Sequence, residues 1–184
     1  MKRTKIQNIT PEHLGKTITL CGWVRTVRDQ KNFAFVEIND GSNLAGFQVI
    51  IEGDVKDLTT GTSVKIEGVV VESPGGKQKL ELKASHFEIL GTCPAEEYPL
   101  QKKRHSFEFL RTIAHLRPRT NTQGAVQRVR NQLAFATHEF FQERGFLYVQ
   151  TPVISSSDAE GGGQQFNVTA LPLNKIPKLS DGTP

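Results

Sequence analysis

Five short stretches with alternating apolar and polar residues occupy the first ninety residues and limit what this part of the chain can fold into. They run over residues 17–27, 33–39, 44–51, 63–72 and 79–89. Turn-forming residues separate them at 40–42, 60–61 and 73–76. Five antiparallel strands in so short a segment predict an all-β barrel of the OB type. An SH3-like barrel is the alternative fold.

The second predicted strand offers a candidate binding face. Its core-facing set is Ala34, Val36 and Ile38. Because side chains alternate along a strand, Phe33, Phe35 and Glu37 are expected on the opposite face. OB folds stack unpaired bases on aromatic side chains of such strands, and each stack contributes about 1–3 kcal/mol. The alternative is that both rings pack beneath a neighbouring helix.

Polar side chains on the flanking strands suit the same task. Arg25 and Arg28, at the end of the first strand, can contact phosphates or bases. Gln48, in the third strand, offers both a hydrogen-bond donor and an acceptor to a base edge. Trp23 is interpreted as core or rim packing. The barrel is therefore predicted to bind single-stranded nucleic acid.

A basic connector follows the barrel. Residues 93–121 contain six lysines and arginines against three glutamates, which places most of the chain's net charge of +4 in this segment. Its cations are Lys102, Lys103, Arg104, Arg111, Arg117 and Arg119. So basic a segment between folded units suggests that a polyanion runs along it. The alternative is a solvated hinge whose arginines cap helix ends.

Beyond the connector the apolar pattern changes to a helical period. A helix is predicted over 123–144, with Gly145 as its C-terminal stop. Its apolar stripe consists of Val126, Val129, Leu133, Ala136 and Phe140. A strand is predicted over 146–150, and Pro152 after it suits a sheet edge or an interface. The stripe needs a partner surface.

Cysteine content and hydropathy limit the compartment. Cys21 and Cys93 are too few for a disulfide framework and lack metal-ligand spacing, so no metal site is predicted. No segment approaches the roughly 20 apolar residues of a membrane span, and the first residues lack the apolar run of a signal peptide. A cytoplasmic protein without a membrane partner is expected.

Four segments carry a resemblance to a known family. GFLYVQTPVI at 145–154, after the long helix, resembles motif 1 of the class II aminoacyl-tRNA synthetases, and GWVRTVRD at 22–29 resembles their anticodon-binding barrel. RHSFEFLRTIAHLRPRTN at 104–121 and SDAEGGGQQF at 157–166 are closest to the asparaginyl branch. The resemblance implies an OB domain over 1–92, a basic hinge over 93–121 and the start of an α+β catalytic domain with an antiparallel sheet over 122–184.

The resemblance also implies residue roles. Phe35 would stack on an anticodon base of tRNA(Asn), with Gln48 and Arg28 helping to read the anticodon. Glu160 would hold the ammonium group of the bound asparagine. The motif 1 residues Val126, Val129, Leu133 and Pro152 would form a homodimer interface. One departure stands beside Glu160, since Gln164 occupies the position of a second carboxylate in bacterial asparaginyl enzymes.

Family members use ATP and Mg²⁺ to activate the amino acid and then transfer it to tRNA. Motifs 2 and 3, whose arginines bind ATP, do not occur in this sequence, so we expect no catalytic residue and no bound cofactor in these 184 residues. The resemblance thus implies an N-terminal fragment of an asparagine–tRNA ligase that binds tRNA but not DNA. Two alternatives remain open: an aspartyl-type ligase that charges both tRNAs, and a stand-alone RNA-binding module.

Overall fold

The computed structural model describes residues 3–76, 78–155, 166, 168–172 and 174–182. Glu160 and Gln164, singled out in the sequence, lie outside these residues. The chain divides into two compact units, residues 1–137 and 138–184, which are described separately.

The first unit contains a closed barrel of five strands in the order β1-β2-β3-β5-β4. The strands are β1 (Thr17–Asp29), β2 (Phe33–Asn39), β3 (Phe47–Glu52), β4 (Ser63–Glu72) and β5 (Leu80–Gly91). The predicted OB-type barrel is confirmed. One expected detail is wrong, because β3 and β5 pair in parallel whereas the other neighbours are antiparallel.

The third strand begins at Phe47, three residues later than predicted. The residues before it form a turn in which the Gly46 amide donates to Asn43 Oδ1 at 2.9 Å and Gly46 has a φ of 77°. A positive φ leaves the extended region and suits glycine. This turn therefore keeps the preceding apolar residue, Leu44, out of the ladder and exposed.

Alternation of side chains builds most of the barrel core. On β2 the predicted inner set, Ala34, Val36 and Ile38, is completely buried. Their partners from the other strands include Leu20, Val49, Ile51, Val64, Ile66, Val70 and Leu82. Since these positions alternate with partly exposed ones, the register fixes which side chains face outward.

Short helices flank the barrel and lead out of it. Two 3-10 turns, Ile6–Asn8 and Pro11–His13, precede β1. The connector contains α1 (Phe107–Thr112) and a 3-10 turn, Arg117–Arg119. α1 is held by Ser106, whose hydroxyl accepts from the Phe109 amide at 3.2 Å, and by the buried side chain of Leu110.

The long predicted helix is present as α2 (Asn121–Gln142), shifted two residues toward the N-terminus. In the second unit Gly145 has a φ of 80°, which suits the residue after a helix end. The strand predicted over 146–150 does not form, because no described segment pairs with these residues, and side chains such as Leu147 and Val149 are exposed. Among the described helices, none combines the length and apolarity that crossing a bilayer needs.

Candidate nucleic-acid interface

The outer face of β2 presents two aromatic rings, as the alternation predicts. Phe33 and Phe35 both face outward and are partly exposed. Their ring centroids lie 5.1 Å apart with an interplanar angle of 88°, an edge-to-face arrangement. Each ring keeps part of its surface exposed, so neither is fully packed beneath a neighbouring element.

Arg28 lies beside the Phe35 ring. The two residues are direct cross-strand partners in the β1–β2 ladder, so their side chains lie on the same face. The guanidinium carbon is 5.1 Å from the ring centroid, within range of a cation–π interaction. This contact holds a positive charge beside a partly exposed aromatic ring.

A chain of hydrogen bonds orients Gln48 on the same face. Arg28 Nη2 donates to Gln48 Oε1 at 3.0 Å, and Gln48 Nε2 donates to Glu81 Oε2 at 2.8 Å. Ser73 Oγ also donates to Glu81 Oε2, at 3.0 Å. Because arginine only donates and a carboxylate only accepts, the Gln48 amide has one orientation. It keeps one donor hydrogen and one acceptor lone pair for a ligand.

Glu81 was not predicted from the sequence. It is only 2% exposed and is the second residue of β5, next to the buried Leu82, so two consecutive side chains of this strand are buried. A buried carboxylate requires hydrogen-bond donors, which Gln48 and Ser73 provide. In the sequence Glu81 stands between the apolar residues Leu80 and Leu82, an alternation that by itself assigns the carboxylate to the surface.

Arg28, Phe35 and Gln48 line one cavity of about 640 Å³, within the usual range of ligand sites. Its polar lining comprises Thr26, Arg28, Glu37, Gln48, Gln78, Lys79 and Lys102, and Phe35 is part of its wall. Lys102 belongs to the connector, so the connector contributes a cation to this site. The structure thus brings together Arg28, Phe35 and Gln48, three of the four residues predicted to contact tRNA.

Arg25, the fourth, has a different neighbourhood. Its guanidinium donates to the Arg119 carbonyl oxygen and, at 3.0 Å, to Asn121 Oδ1. The Arg119 guanidinium lies 4.8 Å from the centre of the Trp23 ring, and the Trp23 side chain is 40% exposed. Arg25 therefore fastens the end of the connector to the barrel and lies outside the cavity around Phe35.

The connector and the barrel enclose a second, larger cleft of about 1100 Å³. Its cationic lining consists of Arg25, Lys102, Lys103, Arg104 and Arg119, against Glu37 and Glu108. Within the described residues, Lys102, Lys103 and Arg104 form no ion pair with a carboxylate. Lys102 also lines the cavity around Phe35, so one basic surface runs from the cleft to that cavity.

The described residues of the basic surface show neither a cluster of metal ligands nor a reactive thiol. No three His, Cys, Asp or Glu side chains converge on a common point in the described ranges. The pKa of the Cys93 thiol lies above its ordinary value, mainly because burial disfavours the charged thiolate. The nearby Arg119 lowers this pKa and Glu97 raises it, both by less than burial does. The thiol is therefore protonated at neutral pH and a poor nucleophile.

The predicted interface residues on α2 are exposed. Val129 and Leu133 are 58% and 63% exposed, and Val126 and Pro152 are exposed as well. α2 has no buried residue. Val126, Val129 and Leu133 therefore form an exposed apolar stripe along α2.

Two family models match the chain. Residues 18–90 match the OB-fold nucleic acid binding domain, and residues 106–179 match the class II tRNA synthetases (D, K and N). The first match covers the barrel with the cavity around Phe35. The second covers most of the connector's helical part and α2.

Asparagine–tRNA ligases are among the proteins most similar in sequence to this chain. The chain is 56% identical to the asparagine–tRNA ligase of Protochlamydia amoebophila over 98% of its own length, and 53% identical to that of Acetivibrio thermocellus over its full length. It spans 41% of the length of each relative. The asparaginyl-tRNA synthetase of Pyrococcus horikoshii, solved in complex with asparaginyl-adenylate, matches 92% of the chain and 41% of its own, with 25% identity and a TM-score of 0.81.

Both family models and the named relatives agree with the motifs at 22–29, 104–121 and 145–154. The resemblance predicted from the sequence is confirmed, as is the expectation that the chain corresponds to only part of its relatives. The chain therefore belongs to the class II aminoacyl-tRNA synthetases, in the asparaginyl branch, and spans about two fifths of that branch's full-length members.

Proposed function

We propose that these residues form the anticodon-binding domain, the hinge and the start of the catalytic domain of an asparagine–tRNA ligase, and that the barrel binds the anticodon loop of tRNA(Asn). We assign the domain to 1–92, the hinge to 93–121 and the catalytic part to 122–184. The observation that carries the proposal is the array of Phe35, Arg28 and Gln48 on the outer face of an OB barrel.

Each member of the array has a distinct task. The exposed face of Phe35 stacks on a base, and this stacking binds RNA without regard to its sequence. Gln48 reads a base edge through its remaining donor and acceptor, because Arg28 and Glu81 already fix its orientation. Arg28 supplies positive charge beside the ring and can also contact a phosphate. Binding thus combines stacking with a preorganised polar contact.

The basic cleft extends this site along the RNA backbone. Lys102, Lys103 and Arg104 present charges that no described carboxylate neutralises. We propose that they contact phosphates adjoining the anticodon loop. Arg25 lines the same cleft, and we assign it a phosphate contact there in addition to its bonds to the connector.

Replacing Lys102, Lys103 and Arg104 by alanine is expected to reduce the salt dependence of tRNA binding. Each lost phosphate contact lowers the slope of log K against log salt by about 0.7–0.9, since fewer counterions are released. The slope is measured by titration from low to high salt. A control variant with alanine at Lys5, Lys16 and Lys56, which line neither cavity, should change the slope less. Equal slopes for the two variants would assign the three connector cations to the hinge alone.

The longer protein would make asparaginyl-adenylate from asparagine and ATP and then charge tRNA(Asn). In that reaction the asparagine carboxylate attacks the α-phosphorus of ATP and pyrophosphate leaves, and cationic groups with Mg²⁺ would have to meet the developing charge. The described residues contain no cluster of carboxylates to hold Mg²⁺, so no step of this reaction is assigned to them. We retain Glu160 as the contact to the asparagine ammonium group, and the cytoplasm as the place of action.

The exposed stripe of α2 supports a proposed homodimer through motif 1. Replacing Val129 and Leu133 by glutamate should shift the chain from concentration-dependent association to monomer, because it places charges within an apolar contact. Sedimentation equilibrium over a range of concentrations measures the effect. Glutamate at the neighbouring polar position Gln127 is the control. Unchanged association of the double variant would place the contact elsewhere.

Anticodon preference tests the proposed function against its alternatives. We expect the chain to bind an RNA hairpin with the asparagine anticodon GUU more tightly than the same hairpin with the aspartate anticodon GUC, by about 1 kcal/mol or more, the scale of a lost hydrogen bond. Equal affinity for both would favour the aspartyl-type ligase that charges both tRNAs. Equal affinity for any unpaired loop would favour the stand-alone module.

A further inference from the structure

The loop between β2 and β3, residues 40–46, is held in shape by hydrogen bonds within itself and to the end of β2. Asn39 Nδ2 donates to the Asn43 carbonyl oxygen at 3.1 Å, and the Gly41 amide donates to Asn39 Oδ1 at 2.8 Å. The Gly46 amide donates to Asn43 Oδ1 at 2.9 Å. Because these bonds link the start, the middle and the end of the loop, they restrict its internal motion. The loop therefore moves as one piece.

The last two residues of this loop form part of the wall of the cavity around Phe35. Ala45 and Gly46 line that cavity. Gly46 lies against β2, since a Cβ added to it would come within 3.3 Å of Glu37 Oε1. Glu37 is the cross-strand partner of Gln48, so the two side chains are neighbours on the outer face. The placement of the loop therefore sets the space that the cavity leaves beside Gln48.

The preceding residues of the loop rest on the start of α2. Arg128 Nη2 donates to the Gly41 carbonyl oxygen at 2.6 Å. Leu44 approaches Gly124 so closely that a Cβ added to Gly124 would lie 3.5 Å from Leu44 Cδ1. Residues 123–125 of α2 are partly buried, whereas every later residue of this helix is exposed. The start of α2 thus packs on the loop that also walls the cavity.

The stiffness of the loop connects these two surfaces. The Arg128 hydrogen bond and the Leu44 contact fix where the loop lies, and its internal bonds carry that placement to Ala45 and Gly46. A site that already has its final shape loses less conformational freedom when a ligand binds. When only a fraction of the molecules has the competent shape, the apparent affinity falls in proportion to that fraction.

We propose that Leu44 and Arg128 are positioning residues for anticodon binding, which clamp the β2–β3 loop onto α2 and so hold the cavity wall in its binding geometry. The inference rests on the proposed function, since the ligand is the same anticodon loop. Neither side chain lines the cavity around Phe35, so both act through the loop. The first turns of α2, at the start of the part assigned to the catalytic domain, thereby belong to the anticodon-binding unit.

The double variant Leu44→Ala, Arg128→Met tests the clamp, because it removes the apolar contact and the donor and leaves every cavity residue in place. The 184-residue chain carrying it should bind the GUU hairpin about 3- to 10-fold more weakly, the effect of about one lost hydrogen bond. Its affinity for a hairpin with the same stem and an abasic loop should equal that of the control. The conservative pair Leu44→Met, Arg128→Lys, which keeps an apolar side chain and a cationic donor, should restore GUU binding.

Leu90→Ala, Arg130→Met is the matched control. It makes the same two changes of side chain and charge at exposed positions that line neither the cavity nor the cleft. It should leave the affinity for the GUU hairpin unchanged. Circular dichroism checks that each variant is folded.

Amide shifts of the ¹⁵N-labelled chain supply a readout that a purely structural role would not move. Saturation with the GUU hairpin should shift the amides of Gly124 and Arg128 in the parent chain. In the double variant these shifts should vanish, while those around Phe35 persist. Shifts at Gly124 and Arg128 that the abasic hairpin also produces would overturn the inference, because they would arise from direct contact with the RNA stem.

Unchanged affinity of the double variant for the GUU hairpin, equal weakening for both hairpins, or a loss that the conservative pair does not restore would also overturn it. Phe35→Ala in the same titration separates the two proposals. If Phe35→Ala weakens GUU binding and the double variant does not, only the clamp fails. If the parent chain itself does not distinguish the GUU hairpin from the abasic one, the proposed function fails.

Discussion

Replacing Phe35 by alanine is expected to weaken binding of the GUU hairpin about 5- to 150-fold, which corresponds to about 1–3 kcal/mol. The loss arises because the ring supplies the stacking surface and also the partner of the Arg28 guanidinium, 5.1 Å away. The barrel should remain folded, since Phe35 lies on the outer face while its neighbours Ala34 and Val36 fill the core. Fluorescence anisotropy of a labelled hairpin measures the affinity, and circular dichroism checks the fold.

Phe135→Ala is the matched control, because Phe135 is exposed on α2 and lines neither the cavity nor the cleft. It should leave hairpin affinity unchanged. A folded Phe35→Ala chain with the parent affinity would contradict the stacking role, and a chain that no longer folds would show that the ring is part of the packing.

Replacing Leu82 by alanine is expected to destabilise the barrel by about 2–5 kcal/mol, the largest effect on stability that we predict. Leu82 is completely buried and pairs with Val49 of β3 and Val70 of β4, so its removal leaves a cavity where the barrel closes. Urea unfolding followed by the fluorescence of Trp23, the one tryptophan of the chain, measures the change. Hairpin binding should be lost at a correspondingly lower urea concentration.

Leu90 lies on the same strand and is 57% exposed, which makes Leu90→Ala the control. Surface changes of this kind usually alter stability by less than about 0.5 kcal/mol. Similar destabilisation by both variants would mean that β5 contributes to stability along its whole length and not through the buried residues that close the barrel.

The sequence predicted the barrel well because its strands obey a two-residue period that the core enforces. Ala34, Val36 and Ile38 had to face inward together, and this placed Phe35 outside. Arg28 and Gln48 were predicted from their polar chemistry and from the resemblance; alternation alone would place Arg28 on the face of the buried Val24, and a bulge between Val24 and Thr26 shifts the register. Gly145 was predictable as a helix end because a positive φ favours glycine.

The remaining features depend on contacts that a local pattern does not encode. Glu81 is buried because Gln48, 33 positions earlier, reaches across the barrel face to it. The sequence analysis grouped Arg25 with Arg28 as a contact to nucleic acid. In the structure the Arg25 guanidinium donates instead to Asn121 Oδ1, at the end of the connector. The strand predicted over 146–150 has an apolar pattern but no described partner strand, and an unpaired strand has no ladder to stabilise it.

The most direct test of the central claim is an NMR titration of the ¹⁵N-labelled chain with the GUU hairpin. If the barrel face binds the anticodon loop, the amide signals that shift should cluster around Arg28, Phe35 and Gln48 and in the turn at 73–79, with weaker shifts along 102–104. A hairpin with the same stem and an abasic loop should leave the first cluster unshifted. Shifts confined to α2, or the same shifts with both hairpins, would contradict the assignment of the barrel face as the anticodon site.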